Sequence, residues 1–305
     1  MWSTIKKLIV IGSINNDLVI GVDKPPVIGE TVLGSGFIQV PGGKGANQAV
    51  ACARLGADVT FIGAVGNDGF GVAMIEGLSN NGVDVSEVKV VSDKPTGTAM
   101  IVIYEGDNYI AVDQGANLAI DRAQIDNAES RIKDADMAVL QLEIPIDSVR
   151  YAIERCKAHG VFVLLNPAPA PTKALDPDLL KMVDLLTPNE FEAYALTGIM
   201  PGTPEDAVKA AIRLAEMGAK QVVVTLGGNG CVYGSGTDFR HMPAIGVNEV
   251  VDTTAAGDSF TAALAVSLTE GRTLEEAVAF ATKVGAITVT RKGAQPSLPY
   301  RQEIV

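Results

Sequence analysis

The sequence predicts an α/β fold: a doubly wound, mostly parallel sheet flanked by helices, with a small antiparallel β lid. Three observations carry that prediction. Short β-branched apolar runs recur at Leu8 to Ile11, Val59 to Ile62, Met137 to Leu140, Val161 to Leu165 and Val222 to Thr225. Stretches with apolar residues at three- and four-residue spacing lie between or after them, at Asn47 to Leu55, Ile146 to His159, Pro204 to Met217 and Leu274 to Val289. Two regions, 17 to 40 and 97 to 114, instead alternate apolar and polar side chains around Gly, Pro and Asp-Asn turn signals.

The apolar runs lack alternation, as expected of parallel strands covered on both faces. The periodic stretches present one apolar stripe each and have Gly near several ends, as helices do. Strand and helix in repeated succession give a parallel sheet with right-handed crossovers. The alternating regions predict hairpin strands at about 15–41 and 96–115, half exposed as antiparallel strands are. Such a sheet can act as a lid, as a dimer contact, or as decoration. No repeat, low-complexity tract or Ser/Pro-rich linker divides the chain, so residues 1–305 are expected to form one domain.

With 305 residues and 47% hydrophobic content, the chain can bury a large core. Its apolar runs fall far short of the about 18 residues that suggest a membrane span. The N-terminus shows no long apolar stretch with a small-residue cleavage site, and a cytoplasmic protein is expected. Cys52, Cys156 and Cys231 are far apart and odd in number, which suggests neither a disulfide framework nor a thiolate metal site. His159 and His241 are the only histidines, so a His-based triad or zinc site has few sources, and carboxylate chemistry is favoured. A formal net charge of −12 argues against nucleic-acid or anionic-membrane partners. An anionic ligand must then be held by helix N-termini and a metal ion.

Val251 to Phe260, VDTTAAGDSF, runs from a strand end through small residues into a helical pattern that lasts to Leu268. Backbone N–H groups at such a helix start attract anions. Small side chains at Ala255, Ala256 and Gly257 would let a phosphate approach closely. Asp258, in the first turn, is either a general base for a substrate hydroxyl or an acid that merely balances the helix dipole. PGGKGAN at 41–47 fails the Walker A pattern, because Lys44 is followed by Gly45 and not by Ser or Thr. It is a simple turn, or a polar loop offering Lys44, Asn47 and backbone amides to ligand hydroxyls. GSINND at 12–17 lacks the second and third glycines of a dinucleotide fingerprint, and the Gly34 and Gly69 segments fail the same test. Asn15, Asn16 and Asp17 either form a turn or put three hydrogen-bonding side chains at a strand's C-terminal end, where open α/β sheets bind ligands. In TPNEFE, 187–192, Asn189 and Glu192 share a helix face and either hold Mg²⁺ through water or form a capping box. TLGGNG, 225–230, wraps a nucleotide or makes a hairpin.

Together and in this order these segments resemble the ribokinase-like (phosphofructokinase B) carbohydrate kinase family, from about residue 8 to the C-terminus. GGKGANQA at 42–49 and DTTAAGD at 252–258 are the specific stretches. The first of these, with LNPAPA at 165–170 and TRKGAQPS at 290–297, resembles the family's ribose-phosphorylating members more than its adenosine kinases or fructokinases. The resemblance implies transfer of the ATP γ-phosphate to the 5-hydroxyl of D-ribose, with another pentose, deoxyribose or a nucleoside as the alternative acceptor. A non-catalytic sugar sensor would lack the base, and Asp258 is present. Asp258 is implied as base, with the amides of 255 to 258 as anion hole. Asn15, Asp17, Gly43, Lys44, Asn47 and Glu143 are implied to bind sugar, with Asn16 and Gly45 beside them. Asn189 and Glu192 would organise Mg²⁺ and the phosphates of the nucleotide. Thr225, Gly227, Gly230, Gly257 and Thr282 would line the nucleotide site. A K⁺ site is implied at the Asp252 side chain, main-chain oxygens of Thr254, Thr288, Arg291 and Gly293, and Ser297. The hairpins would form a lid that also makes a homodimer contact. Ala255 stands where many relatives have Gly, and Thr282 where some carry His.

Overall fold

The computed structural model describes residues 6–105 and 107–304. Its strands are β1 (Lys7–Ile11), β2 (Asn15–Val22), β3 (Gly34–Gly42), β4 (Asp58–Gly66), β5 (Val83–Val91), β6 (Gly97–Tyr104) and β7 (Asp107–Asp113). They continue with β8 (Met137–Leu140), β9 (Phe162–Leu165), β10 (Leu185–Leu186), β11 (Gln221–Thr225), β12 (Cys231–Ser235) and β13 (Asp238–Met242). The α-helices are α1 (Lys44–Arg54), α2 (Gly69–Asn80), α3 (Arg122–Asn127), α4 (Glu129–Asp134), α5 (Ile146–Ala158) and α6 (Pro177–Met182). After them come α7 (Glu190–Thr197), α8 (Pro204–Glu216), α9 (Ala256–Thr269) and α10 (Leu274–Thr288).

Nine strands form the main sheet in the order β13-β12-β11-β10-β9-β8-β1-β4-β5. Every pairing from β11 to β5 is parallel, whereas the β11–β12 and β12–β13 pairings are antiparallel. Along β1, Leu8 and Val10 pack into one apolar cluster and Ile9 and Ile11 into the other, as side-chain alternation requires. The first cluster includes buried residues of α1, α2, α9 and α10, and the second those of α3 to α8. Helices therefore cover both faces of the sheet, and its central strands read as unbroken apolar runs for that reason.

Strand order reverses at β1, which pairs with β4 on one side and β8 on the other. Ligands of open α/β sheets bind at the carboxyl ends of strands flanking such a reversal. Gly12 to Asn15 and Gln141 to Glu143 follow those two ends. A second sheet, β3-β2-β6-β7, extends from there. It consists of two antiparallel hairpins, β2 with β3 and β6 with β7, joined through a parallel β2–β6 pairing. Among the described residues no helix is long and apolar enough to cross a membrane.

Candidate active site

The glycine-rich loop before α1 lies against the segment that leaves β1. Gly43 has φ 89°, and a Cβ there would fall 2.6 Å from the Asn15 nitrogen. A Cβ on Gly45 would fall 2.6 Å from the Ser13 nitrogen. Only glycine permits this approach. Ser13 Oγ donates to Glu143 Oε2 at 2.5 Å, the Lys44 N–H donates to the same oxygen at 3.2 Å, and the Gly45 N–H reaches Ser13 Oγ at 3.4 Å. Two chain segments thus converge on the Glu143 carboxylate at the switch point. The Asn117 amide holds Asn15 in turn, donating from Nδ2 to Asn15 Oδ1 at 2.8 Å and to the Ile14 carbonyl at 3.0 Å.

Asp17 stands in the same carboxylate group. Burial, reinforced by Glu143 and Asp258 and opposed by Lys44, pushes its pKa up to about 7. For Lys44, burial favours the neutral amine, yet Asp258, Glu143, Glu192 and Asp17 together hold its pKa above the ordinary lysine value. These five side chains are electrostatically one unit, a single cation among four acids.

Asp258 occupies the first turn of α9 and is 7% exposed. Its Oδ2 accepts from Asn47 Nδ2 and its Oδ1 from Gln48 Nε2, both at 2.9 Å. The helix starts at Ala255, which is left-handed (φ 59°, ψ 10°) and carries no side-chain cap. That conformation in a non-glycine residue costs roughly 1 kcal/mol and turns the chain sharply into the helix. The Ala256 N–H donates to the Thr253 carbonyl at 3.2 Å. No described acceptor serves the N–H groups of Ala255, Gly257 and Asp258. Donors of this kind at a helix start form an anion-binding site.

Asn189 and Glu192 make a reciprocal capping box at the start of α7, each side chain accepting the other's backbone N–H at 2.9 Å. The box does not remove Glu192 from the site. Glu192 is 4% exposed, and burial, with Asp258 and Glu190 adding, raises its pKa against the pull of the Asn189 N–H and Lys44. Thr225 ends β11 and donates its N–H to the Pro188 carbonyl at 2.9 Å, so the nucleotide candidates lie beside the Asn189 turn. Gly230 has φ 87°, and a Cβ there would meet the Met242 carbonyl at 2.0 Å. Gly227 and Gly230 bracket the turn between β11 and β12. Thr282 is buried in α10 and gives its hydroxyl to the Val278 carbonyl at 2.9 Å.

The Asp252 loop is tied to the segment after α10. Asp252 Oδ1 accepts from the Thr254 N–H at 2.9 Å and hydroxyl at 2.6 Å, and its Oδ2 from the Gly293 N–H at 2.8 Å. Burial works to raise the Asp252 pKa, but these hydrogen bonds hold it below the usual carboxylate range. The Val251 and Asp252 N–H groups both donate to the Val289 carbonyl, at 2.8 and 3.2 Å. Thr254 is thereby joined to the 288–297 turn, in which the Arg291 N–H donates to the Thr288 carbonyl and Ser297 Oγ to the Ala294 carbonyl.

Asn16 is the exception among the sequence candidates. Strand alternation puts it on the opposite face of β2 from Asn15 and Asp17, it is fully buried, and neither amide atom has a hydrogen-bond partner. A buried unsatisfied amide is destabilising. Replacement by near-isosteric leucine is expected to raise stability by about 1 kcal/mol, read by denaturant unfolding, with the sugar KM unchanged. A tenfold rise in KM would put Asn16 back in the pocket.

Comparison with known proteins decides the family. The model of the pfkB family carbohydrate kinases matches residues 5–301. This chain belongs to that family. Ribokinase from Bacillus subtilis (strain 168) is 42% identical over 299 residues, 98% of each chain. The structure of Arabidopsis thaliana ribokinase complexed with ribose and ATP superposes with a TM-score of 0.92 at 35% identity, covering 99% of this chain and 98% of that one. A chain from E. coli solved with ATP and Mg²⁺ superposes with a TM-score of 0.81 at 28% identity, over 98% of both chains. The kinase fold thus assembles Asn15, Asp17, Lys44, Asn47, Glu143, Glu192 and Asp258 at one end of the sheet. Sequence reasoning missed Ser13, Gln48, Asn117, Gln141 and Asn166, the polar residues that orient this group. Ser13, Gln48 and Asn166 lay inside stretches already noticed, GSINND, GGKGANQA and LNPAPA; Asn117 and Gln141 carry no local signal, because the partners they hold are more than 90 residues away.

Proposed function

We propose that this kinase transfers the γ-phosphoryl group of ATP to the 5-hydroxyl of D-ribose, giving ribose 5-phosphate and ADP, with Asp258 as general base. One observation carries the reading: a buried carboxylate sits in the first turn of a helix whose leading N–H groups have no acceptor, beside the Asp17, Lys44 and Glu143 cluster. The likeness to ribokinases, one of them solved with ribose and ATP, supports the same reading.

Asp258 takes the proton as the hydroxyl oxygen attacks phosphorus and the bond to ADP breaks. The N–H groups of Ala255, Ala256, Gly257 and Asp258 face the charge that gathers on the transferring group. For Ala256 this means exchanging the Thr253 carbonyl for the ligand. Asn15, Asp17, Gly43, Lys44, Gly45, Asn47 and Glu143 hold the sugar. The buried Asn47 Oδ1 has no partner and suits a ligand hydroxyl. Thr225, Gly227, Gly230, Gly257 and Thr282 line the nucleotide, with Thr282 offering its methyl group, since its hydroxyl is spent on the helix.

Magnesium bound with the nucleotide neutralises phosphate charge. Among the described residues no group of three or more acidic, His or Cys side chains forms a direct cage, so Asn189 and Glu192 would hold the ion through water, as suits its reluctance to dehydrate. For a potassium ion, Asp252, Ser297 and the main-chain oxygens of Thr254, Thr288, Arg291 and Gly293 supply an oxygen-only set suited to a hard cation. Its part would be to stiffen the loop leading to Ala255. The second sheet would close over the sugar with one face. The other would meet a second copy in a homodimer, since neighbouring residues such as Phe37 and Ile38, or Tyr109 and Ile110, alternate in direction and all are exposed. The whole is expected to work in the cytoplasm.

ADP release measured across ribose, deoxyribose, fructose, adenosine and pseudouridine tests the substrate, with ribose expected to be turned over most efficiently. Turnover of a nucleoside without ribose would overturn it. Activity is expected to fall when potassium is replaced by choline; equal rates in the two buffers would remove the cation site.

A further inference from the structure

Gln48 is 0% exposed in α1, among Ala46, Ala49, Val50 and Cys52, where an apolar side chain would be the ordinary occupant. A polar amide there requires partners, and it has three. Its Nε2 donates to Asp258 Oδ1 at 2.9 Å and to Asn166 Oδ1 at 3.1 Å, while its Oε1 accepts from Gln141 Nε2 at 2.6 Å. Asn166 follows β9, Gln141 follows β8, and both are buried. Gly12 leaves room for Gln141, since a Cβ at that position would fall 2.0 Å from Gln141 Oε1.

The direction of every amide in this chain is determined from one end. Asn166 Nδ2 lies 2.8 Å from the Thr187 carbonyl, which can only accept. Asn166 must therefore turn its oxygen to Gln48, and Gln48 must answer with its amino group. One of its two protons goes to Asn166, and the other points at Asp258. Gln141 then has to donate to Gln48 Oε1. Flipping the Gln48 amide would set its oxygen against two acceptors and its amino group against a donor, so the arrangement is locked.

We propose that Gln48 is a positioning residue for phosphoryl transfer: with Asn166 and Gln141 it forms a buried amide chain, anchored on the Thr187 carbonyl, that fixes the direction of the Asp258 carboxylate. The proposal rests on the reading of Asp258 as base. The terminal torsion of an aspartate is broad, and transfer requires one oxygen aimed at the acceptor hydroxyl. Asn47 alone cannot supply that aim, because it serves the ligand as well. Gln48, with no exposed surface, meets the acidic cluster through the Asp258 carboxylate, its other two partners being the buried amides of Asn166 and Gln141.

The Gln48→Leu variant is expected to lower kcat by about 10- to 100-fold, with the KM values for sugar and ATP within about twofold, since loss of orientation acts on the chemical step. On an Asp258→Asn background the same substitution is expected to cost less than about twofold, because there is no longer a carboxylate to aim. Asn166→Leu, one step back toward the Thr187 anchor, removes the acceptor that fixes the direction of the Gln48 amide and is expected to lower kcat about three- to tenfold. It decides the matter if Gln48→Leu does not fold. A melting temperature that drops while kcat per folded molecule stays at the parent level in both single variants would reduce Gln48 to a structural residue. A full Gln48→Leu loss persisting on the Asp258→Asn background would overturn its action through Asp258. An Asp258→Asn enzyme with parent activity would remove the base reading itself, which separates the two failures.

Discussion

The Asp258→Asn enzyme is expected to lose at least about a thousandfold in kcat, because a positioned base contributes about 10²- to 10⁴-fold and this one has no substitute. The amide keeps the size of the carboxylate and most of its contacts in the ground state. The sugar KM is therefore expected to stay within about threefold, the pattern of a group that acts in the transition state. Stability carries a second mark. Asn47 Nδ2 and Gln48 Nε2 both donate to the native carboxylate, and an asparagine can accept from only one of them without setting two donors face to face. A loss of about 1–2 kcal/mol in unfolding free energy is expected from that mismatch. Initial rates of ADP release and a denaturant melt read the two effects separately. An unchanged kcat would leave Asp258 as an acid that balances the dipole of α9.

The parts of the fold that were legible in the sequence are those where one physical cause acts locally. Leu8 to Ile11 and Met137 to Leu140 announce themselves because β1 and β8 are covered by helices on both faces. The edge strand β5, Val83–Val91, carries Ser86, Glu87 and Lys89 and half-buried positions, so it lacks that signature and escaped notice. The hairpins at 17–40 and 97–114 were readable from alternation and turns, but the parallel β2–β6 pairing joins residues more than 80 positions apart. Helix starts followed their caps: Thr203 before α8, and the Thr273 and Glu276 box before α10. At α1 the apolar pattern suggested a start at Asn47, whereas the helix begins at Lys44, because its N-cap is a positive-φ glycine with no side chain to advertise it. The site divides in the same way. Asp258, Lys44 and Asn47 sit in motifs whose spacing is itself the signal. Asn166 and Gln141 become partners of Gln48 only when β8, β9 and α1 are packed together. Asn15, Asn16 and Asp17 look equivalent as three adjacent polar residues until a strand assigns Asn16 the alternate face.

Asp17 makes the electrostatics of the pocket measurable. Its folded pKa of about 7 lies above the ordinary 3.8, mainly through burial and then through Glu143 and Asp258, with Lys44 opposing. Between those two values the native state binds a proton that the unfolded chain does not, so stability falls as pH rises from about 4 to 7 and levels off above. Each pKa unit corresponds to about 1.4 kcal/mol, which makes the ionised Asp17 a burden of roughly 2–4 kcal/mol on the ligand-free enzyme at pH 8. Asp17→Asn, which cannot ionise, is expected to melt several degrees above the parent at pH 8 and level with it near pH 4. Function runs the other way. As an ionised acceptor Asp17 can take hydrogen bonds from two sugar hydroxyls, so the parent's sugar KM is expected to rise as pH drops below about 7. The variant is expected to have a KM raised about 10- to 100-fold at pH 8, the worth of one to two charged hydrogen bonds, and a flatter pH dependence. Melting curves and sugar saturation kinetics from pH 5 to 9 read both sides. Equal melting points at pH 8, or a sugar KM in the parent that ignores pH, would mean that the carboxylate is already ionised without strain. A binding residue that destabilises the empty pocket and is relieved by its ligand is the expected result, because the hydroxyls of the sugar replace the solvation that folding removes.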